Sequence, residues 1–345
     1  MAVTQEDVAR KAGVSRQLVS LVVRGDPRVS AERRRAVKQA MAELNYRPNA
    51  AARALAERRS NIVGVVLPAF SNPYFGNIVE ALREPCHDRG LTPLVAFSQE
   101  SPKIEAEAID HFIQTGVAAV IVVAPIQAPE SLRRVAEDIP LVVAAREPMG
   151  GYIDTITSAN RTGAKIATQH ALDVGYERVI YVGRTHPVDG SVSSRRELGY
   201  LDALAQAGRI DEALTVLTKE AVGQTLEEVF DEVGSTNCCF VVVNDMLAIE
   251  IVAELGLRGI QPGLEVGVIG YDNTYLAGLH GFQITSMDPN YAATAEAILE
   301  AVTERIHQPD LDGRHRTITP HLVKRASSRR HTWGTHAARR RTSQG

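Results

Sequence analysis

From Ile62 onward, short apolar runs alternate with longer amphipathic stretches, and few architectures accommodate that pattern. The runs are "NIVGVVLP", "LTPLVAF", "AAVIVVA", "PLVVAA", "RVIYVG", "CCFVVVND" and "EVGVIGYD", punctuated by Pro and Gly. Between them stand helical patterns such as "NRTGAKIATQHALDVG" and "NDMLAIEIVAELGLRG". Apolar strands without polar alternation are buried on both faces, so the pattern means βαβ units and parallel sheets covered by helices. In such sheets ligands bind in the crevice beyond the strand C-termini.

The first 59 residues follow a different rule. Thr4 and Asp7 make a capping signature, so a helix begins there, with Val8, Ala9 and Ala12 on one side and Gly13 ending it. Ser15 can cap a second helix whose inward stripe is Leu18, Val19, Val22 and Val23. Gly25, Asp26 and Pro27 break the chain. Ser30 opens a third helix, in which Val37, Ala40, Met41 and Leu44 recur at helical spacing. Three short helices with a glycine turn between the first two describe a helix-turn-helix DNA-binding unit. In that geometry the start of the second helix enters the major groove, where Arg16 and Gln17 offer paired hydrogen bonds to guanine and adenine. The Arg33–Arg35 run adds sequence-independent attraction to phosphate.

Charge agrees with this division. Residues 1–59 hold 13 Lys/Arg against 6 Asp/Glu, residues 324–345 hold 7 against none, and the stretch between has 18 against 35. A basic head on an acidic body leaves the head to meet a polyanion.

In "NYRPNAAARALAERRS", Pro48 disfavours helix at Arg47, and Asn49 can cap a helix through Leu55 that is too short to stand alone in water. The whole head, "TQEDVARKAGVS…VSLVVRG…VSAERRRAVKQAMAELNYRPNAAARAL", resembles that of the lactose/galactose repressor family of bacterial transcription factors. The matching motifs are Asp7 to Ser15, Val19 to Val22, and Leu44 to Leu55. The resemblance implies DNA contacts from Thr4, Ser15, Arg16, Gln17, Ser20, Leu21, Arg24, Asn49, Ala52 and Leu55. Leu55 matches the leucine that the family wedges into the minor groove at the centre of its site. Leu18, Leu21 and Arg24 depart from the family's usual Thr, Arg and Asn, so an operator cannot be copied across. A leucine at position 21 touches a thymine methyl or packs against its own helices.

The body resembles the family's effector domain, which is similar to periplasmic sugar-binding proteins. The implied fold class is an all-α helix-turn-helix domain followed by an α/β domain of two Rossmann-like lobes joined by three crossovers. Lobe one is expected at about 60–157 plus 288–316, and lobe two at about 159–286. The expected domains are 1–46 (DNA-binding), 47–59 (hinge helix and linker), 60–323 (effector-binding and dimerisation) and 324–345 (a basic, disordered tail). Pro85, inside "VEALREPCHDRG", is expected to shorten or kink the first helix of the body.

Arg196, Asn244 and Asp272 match the family's polar positions at the strand ends, and a fork, an amide and a carboxylate suit vicinal hydroxyls of a sugar. Arg146 and Asp288 join this set by resemblance, and Phe70, Tyr74 and Phe75 offer a stacking face. Asp245 is read as a helix N-cap. The competing reading of Arg196 and Asp272 is an ion pair between the lobes. Ala145 stands where many members carry Asp, "ITSMDPN" is one residue shorter than usual, and the lone Trp333 lies in the tail.

No phosphate-binding, dinucleotide, nucleophile-elbow or zinc-protease motif occurs, so an enzyme is not expected, nor a cofactor or metal. Three cysteines lack disulfide or zinc spacing and read as buried small hydrophobes. No apolar run reaches membrane-spanning length and no secretory signal stands at the start, so a cytoplasmic protein is expected. The tail lacks leucine heptads, so a homodimer is expected rather than a tetramer. The reading is a repressor that binds near-palindromic double-stranded operator DNA and is released by a small-molecule effector, a sugar or sugar derivative. Its alternatives are a repressor using a nucleobase as corepressor and a sugar-binding receptor without DNA function.

Overall fold

The computed structural model describes residues 3–23, 25–46, 60–149, 153–184, 191–218 and 221–330. The chain divides into two compact units, at residues 1–60 and 61–345.

In the first unit, α1 (Gln5–Ala12), α2 (Arg16–Val23) and α3 (Ala31–Glu43) form the expected trio. Thr4 and Asp7 complete a capping box, the Thr4 amide donating to Asp7 Oδ2 at 2.9 Å and the Asp7 amide to Thr4 Oγ1 at 3.3 Å. Gly13 ends α1 in the left-handed conformation, at φ 66°, where a side chain would be strained. The Leu18 amide donates to Ser15 Oγ at 3.2 Å, so Ser15 caps α2 as expected. Val8, Val19 and Val37, fully buried, meet at the centre. Leu18 and Leu21 pack against this core and sit half-buried. Lys11 and Glu43 pair at 3.0 Å between α1 and α3. Arg34 donates to the Asp26 carbonyl at 2.6 Å, so the middle residue of the arginine run supports the loop after α2 while Arg33 and Arg35 stay exposed.

The second unit contains two six-stranded sheets. The first, in the order β11-β5-β4-β3-β1-β2, is parallel throughout: β1 (Ile62–Leu67), β2 (Thr92–Phe97), β3 (Ala119–Val123), β4 (Leu141–Ala144), β5 (Asp154–Ser158) and β11 (His315–Ile318). Alternate residues of β1 and β3 enter opposite cores. Val63, Val65, Ile121 and Val123 pack with α4 (Pro73–Asp88) and α11 (Tyr291–His307), and Val66, Val120 and Val122 pack with α5 (Pro102–Thr115) and α6 (Pro129–Asp138). Burial on both faces is why these strands read as unbroken apolar runs. α4 runs on through Pro85 to Asp88, so the expected shortening does not occur; the proline falls in the last turn of the helix.

The second sheet has the order β12-β10-β9-β8-β6-β7, with β12 (His321–Val323) antiparallel to β10 (Thr285–Asp288) and the rest parallel. Its other strands are β6 (Arg178–Gly183), β7 (Leu214–Leu217), β8 (Cys238–Val242) and β9 (Val266–Tyr271). The accompanying helices are α7 (Asn160–Val174), α8 (Val192–Gln206), α9 (Val222–Val233) and α10 (Asp245–Leu257). The chain passes between the sheets three times, after Ser158, after Asp288 and after Ile318. All seven apolar runs are strands. The strands without such a run in the sequence, β5, β7, β10, β11 and β12, are short and polar or lie at an edge.

Two boundaries need correction. The second lobe keeps β10 through Asp288 and takes in residues 321–330 as well. The tail expected to be disordered from residue 324 begins with a buried strap, because its side chains supply hydrogen bonds that this lobe's interior lacks. Ser327 and Ser328 are 1% exposed. The Thr285 amide donates to Ser327 Oγ at 2.8 Å, and Ser327 Oγ donates to the Val268 carbonyl at 2.5 Å. Ser328 Oγ lies 2.7 Å from Thr285 Oγ1 and 2.9 Å from His170 Nε2. Gly263, at φ +85°, lets the strap in: a Cβ there would stand 2.0 Å from the Ala326 carbonyl oxygen. The remainder of the expected tail, 331–345, lies outside the described residues.

Cys86, Cys238 and Cys239 are buried with free thiols. Among the described residues there is no cluster of metal-ligating side chains, and no helix is long and apolar enough to cross a membrane.

Candidate functional site

Two places concentrate the predicted residues. On the helical unit, Arg16 and Gln17 open α2 exposed, while Val19 and Val22 turn into the core. Thr4 and Ser15 are exposed, and their hydroxyls serve as caps. Ser20 and Leu21 are half-buried, Leu21 packing against the core. Arg24, Asn49, Ala52 and Leu55 lie outside the described residues.

In the two-sheet unit the centre is Arg196, on α8 and 7% exposed. Its Nε donates to Asn160 Oδ1 at 3.0 Å, its Nη1 donates to the Val243 carbonyl, and its Nη2 reaches Asp272 Oδ1 at 3.1 Å. The guanidinium carbon lies 3.5 Å from the centre of the Tyr271 ring. Burial works against the charge on Arg196, and Asp272 with the neighbouring tyrosine hydroxyls of Tyr271, Tyr181 and Tyr74 more than offsets it, raising its pKa. Burial likewise raises the pKa of Asp272 in spite of Arg196. Both residues belong to the second lobe, so their ion pair is internal to it and does not join the lobes.

Asp272 adopts φ 98° and Asn273 φ 44°, conformations costly for side-chain-bearing residues. Three consecutive amides hold them there. Asp272 donates to the Met287 carbonyl at 2.8 Å, Asn273 to Ser286 Oγ at 2.9 Å, and Thr274 to Asp245 Oδ2 at 2.6 Å. The carbonyl of Asp272 accepts from the Tyr291 hydroxyl at 2.5 Å, a contact from the first lobe. Tyr74 packs 5.8 Å from Tyr291, centre to centre. Burial, and after it the Asp272 charge, raises the pKa of both hydroxyls and keeps them protonated as donors.

Several assignments are corrected. Phe70 is 84% exposed and stands edge-on to Phe97 at 5.7 Å, and it takes no part in the contacts described around Arg196. Phe75 packs into the core beneath Tyr74. The tyrosines beside Arg196 and Asp272 include Tyr74, Tyr271 and Tyr291, of which Tyr271 is buried beneath the guanidinium. Asn244, expected at the effector, is the N-cap of α10 and accepts from the Leu247 amide at 3.0 Å; Asp245, expected as that cap, is wholly buried. Arg146 donates to the Pro125 and Gln127 carbonyls, whose loop Glu105 also holds through the Ile126 and Gln127 amides. Asp288 accepts from Asn273 Nδ2 at 2.7 Å and from the Asn290 amide at 2.6 Å, which makes it an anchor of the second crossover.

Asn160, Tyr271, Tyr291 and Asp245 were not singled out for these roles. Asn160 follows β5, a Thr-rich strand that lacks an apolar run, and Tyr271 sits at the end of a run read as core. Asp245 accepts from Thr274 Oγ1 at 3.0 Å and from Ser286 Oγ at 2.6 Å, yet burial and the Asp272 charge push its pKa up to about 7. The folded state therefore holds this proton across a range in which the unfolded carboxyl, near 3.8, has lost it. Stability is expected to fall as pH rises through that window and to level off above about 7. One group contributes at most about 1.4 kcal/mol per pH unit. Urea denaturation across the window, compared with Asp245→Ala, isolates the group: the variant loses this part of the slope.

Residues 4–49 match the family described as bacterial regulatory proteins, lacI family, and residues 168–328 match the periplasmic binding protein-like domain. The transcriptional regulator GalR of Escherichia coli is 30% identical over 335 residues, covering 92% of this chain and 97% of that protein. The E. coli ribose operon repressor is 27% identical, covering 94% and 99%. The transcriptional repressor PurR of Pasteurella multocida is 25% identical, covering 94% and 98%. A crystal structure of the lac repressor dimer bound to operator superposes with a TM-score of 0.78 at 22% identity, over 95% of this chain and 99% of that one.

Proposed function

Because the chain belongs to the lacI family of bacterial regulatory proteins, DNA-binding transcriptional regulators with a ligand-binding domain, we propose that it is an operator-binding repressor controlled by a neutral, hydroxyl-rich small molecule such as a sugar. The observation that carries the DNA side is the exposed pair Arg16 and Gln17 at the start of α2, above a closed three-helix core. A dimer places two such helices on a near-palindromic site. Leu55, from the linker, serves as the wedge at its centre.

For the effector, the arrangement around Arg196 supports a neutral ligand. The described arginines here are already committed: Arg196 to Asp272, Arg195 to Glu147, Arg184 to Glu250, and Arg146 to two carbonyls. A phosphorylated or carboxylate ligand would have to displace one of these partners, whereas hydroxyls bond to paired charges and tyrosine hydroxyls as they stand. The ribose operon repressor among the relatives points the same way. A nucleobase corepressor is the second reading. Aromatic stacking on Tyr74 would suit it.

Selection of binding sites from a random duplex pool tests the DNA side. The wild type is expected to yield a near-palindrome. Arg16→Ala is expected to relax one position in each half-site, at a cost of about 1–3 kcal/mol on the preferred sequence. An unchanged selected motif overturns the assignment of the reading helix. A thermal-shift panel of sugars, sugar phosphates, polyols and nucleobases tests the effector side, since a ligand at a hundredfold its Kd adds about 2.7 kcal/mol.

A further inference from the structure

We propose that Glu147 and Arg195 form a charge latch across the cleft, positioning the two lobes in a closed arrangement before any effector arrives. Glu147 follows β4 in the first lobe and Arg195 lies on α8 in the second. Arg195 Nη2 donates to Glu147 Oε2 at 3.3 Å, and Nε stands 3.2 Å from Oε1 without the alignment of a hydrogen bond, so the pair is one hydrogen bond reinforced by charge. Among the described residues it is the one ion pair that joins the lobes; every other pair in this unit stays within one of them.

The neighbours on each side explain why this pair can act as a latch. Arg146, next to Glu147, is tied to the Pro125 and Gln127 carbonyls of its own lobe. Arg196, next to Arg195, is tied to Asp272, Asn160 and the Val243 carbonyl of its own lobe. Each partner is therefore presented from an anchored backbone, and only the outer residue of each dipeptide reaches across. The one side-chain bond already described that also crosses, from the Tyr291 hydroxyl to the Asp272 carbonyl, is neutral and insensitive to salt. Glu147 and Arg195 are each about one-third exposed, so the pair is neither fully screened nor fully desolvated. A pair of this kind shifts the closed-to-open ratio about two- to fivefold. The inference rests on the proposed ligand control: the latch sets the equilibrium on which the effector acts, and an effector that requires the closed form binds more weakly in proportion to the fall in the closed fraction when the latch is broken.

The test is a distance measurement by pulsed electron paramagnetic resonance on the full-length protein, ligand-free, with spin labels at Glu107→Cys on α5 and Gln224→Cys on α9. Both positions are exposed, and the three native thiols are buried and escape labelling. The wild-type background should give a short, narrow distribution. Glu147→Gln and Arg195→Gln should each move population to longer distances, as should about 1 M salt on the wild type. The charge swap, Glu147→Arg with Arg195→Glu, should restore the short distance at low salt. An unchanged distribution in the two neutral variants, or a swap that leaves the lobes open, overturns the latch. If a variant fails to fold, the salt titration decides alone: no shift overturns the proposal. Selection of duplex DNA with the same samples separates the two readings. Lobes that open as expected in a protein that selects no DNA sequence refute the regulator reading and leave the latch standing.

Discussion

Arg196→Ala is expected to lose about 3–5 kcal/mol of folding stability and every response to a cleft ligand. The reason is the company its guanidinium keeps. Removing it leaves Asp272, 4% exposed, as an uncompensated buried charge, and leaves Asn160 Oδ1 and the Val243 carbonyl without their donor. It also uncovers the face of Tyr271. Urea denaturation measures the first effect and the ligand panel the second. Adding Asp272→Ala should recover part of the stability, because the buried charge is then gone, while the ligand response stays lost. A single variant within about 1 kcal/mol of wild type would mean that water enters readily and that the pair is not the structural centre of the cleft.

Ending the chain at Val323 is expected to be as damaging, although it removes only residues that the sequence presents as a basic tail. The strap's Ser327 satisfies the Thr285 amide and the Val268 carbonyl inside the second lobe, and Arg325 holds the Ile284 carbonyl at 2.7 Å and Asn273 Oδ1 at 2.6 Å. Each buried group left without a partner costs about 1–3 kcal/mol. Against a total of about 5–15 kcal/mol, the loss of several takes the lobe to the edge of unfolding. A chain ended at Arg330 keeps all of these bonds and is the control. The measurement is near-ultraviolet circular dichroism with thermal unfolding. Equal transitions for the two truncations would show that the strap merely lies on the lobe. Because Arg325 touches the residue after Asp272, the shorter chain should also lose ligand response where any fold survives.

The sequence read well where local periodicity carries the information. Val8, Val19 and Val37 of the helical unit, and the seven apolar runs of the body, occupy the places that their spacing assigns, because a residue's distance along a helix or strand decides which face it shares. The caps at Thr4, Gly13 and Ser15 were equally legible, since capping involves neighbours three or four residues away. Reading failed where the same local chemistry allows two partners. Asn244 and Asp245 are both competent caps, and only the depth of the Asp245 position, with Thr274 and Ser286 waiting for its carboxylate, assigned the cap to Asn244.

By itself, then, the sequence determined a DNA-reading helical head, its exposed Arg16 and Gln17, and a body of parallel βαβ units, because burial patterns are written in steps of two and three to four residues. Tertiary structure alone decided that Arg196 and Asp272, 76 positions apart, pair within one lobe, that Glu147 reaches Arg195, and that Arg325 and Ser327 close the second lobe. A polar side chain declares what it can bond to and never which distant partner the fold will bring within 3 Å of it.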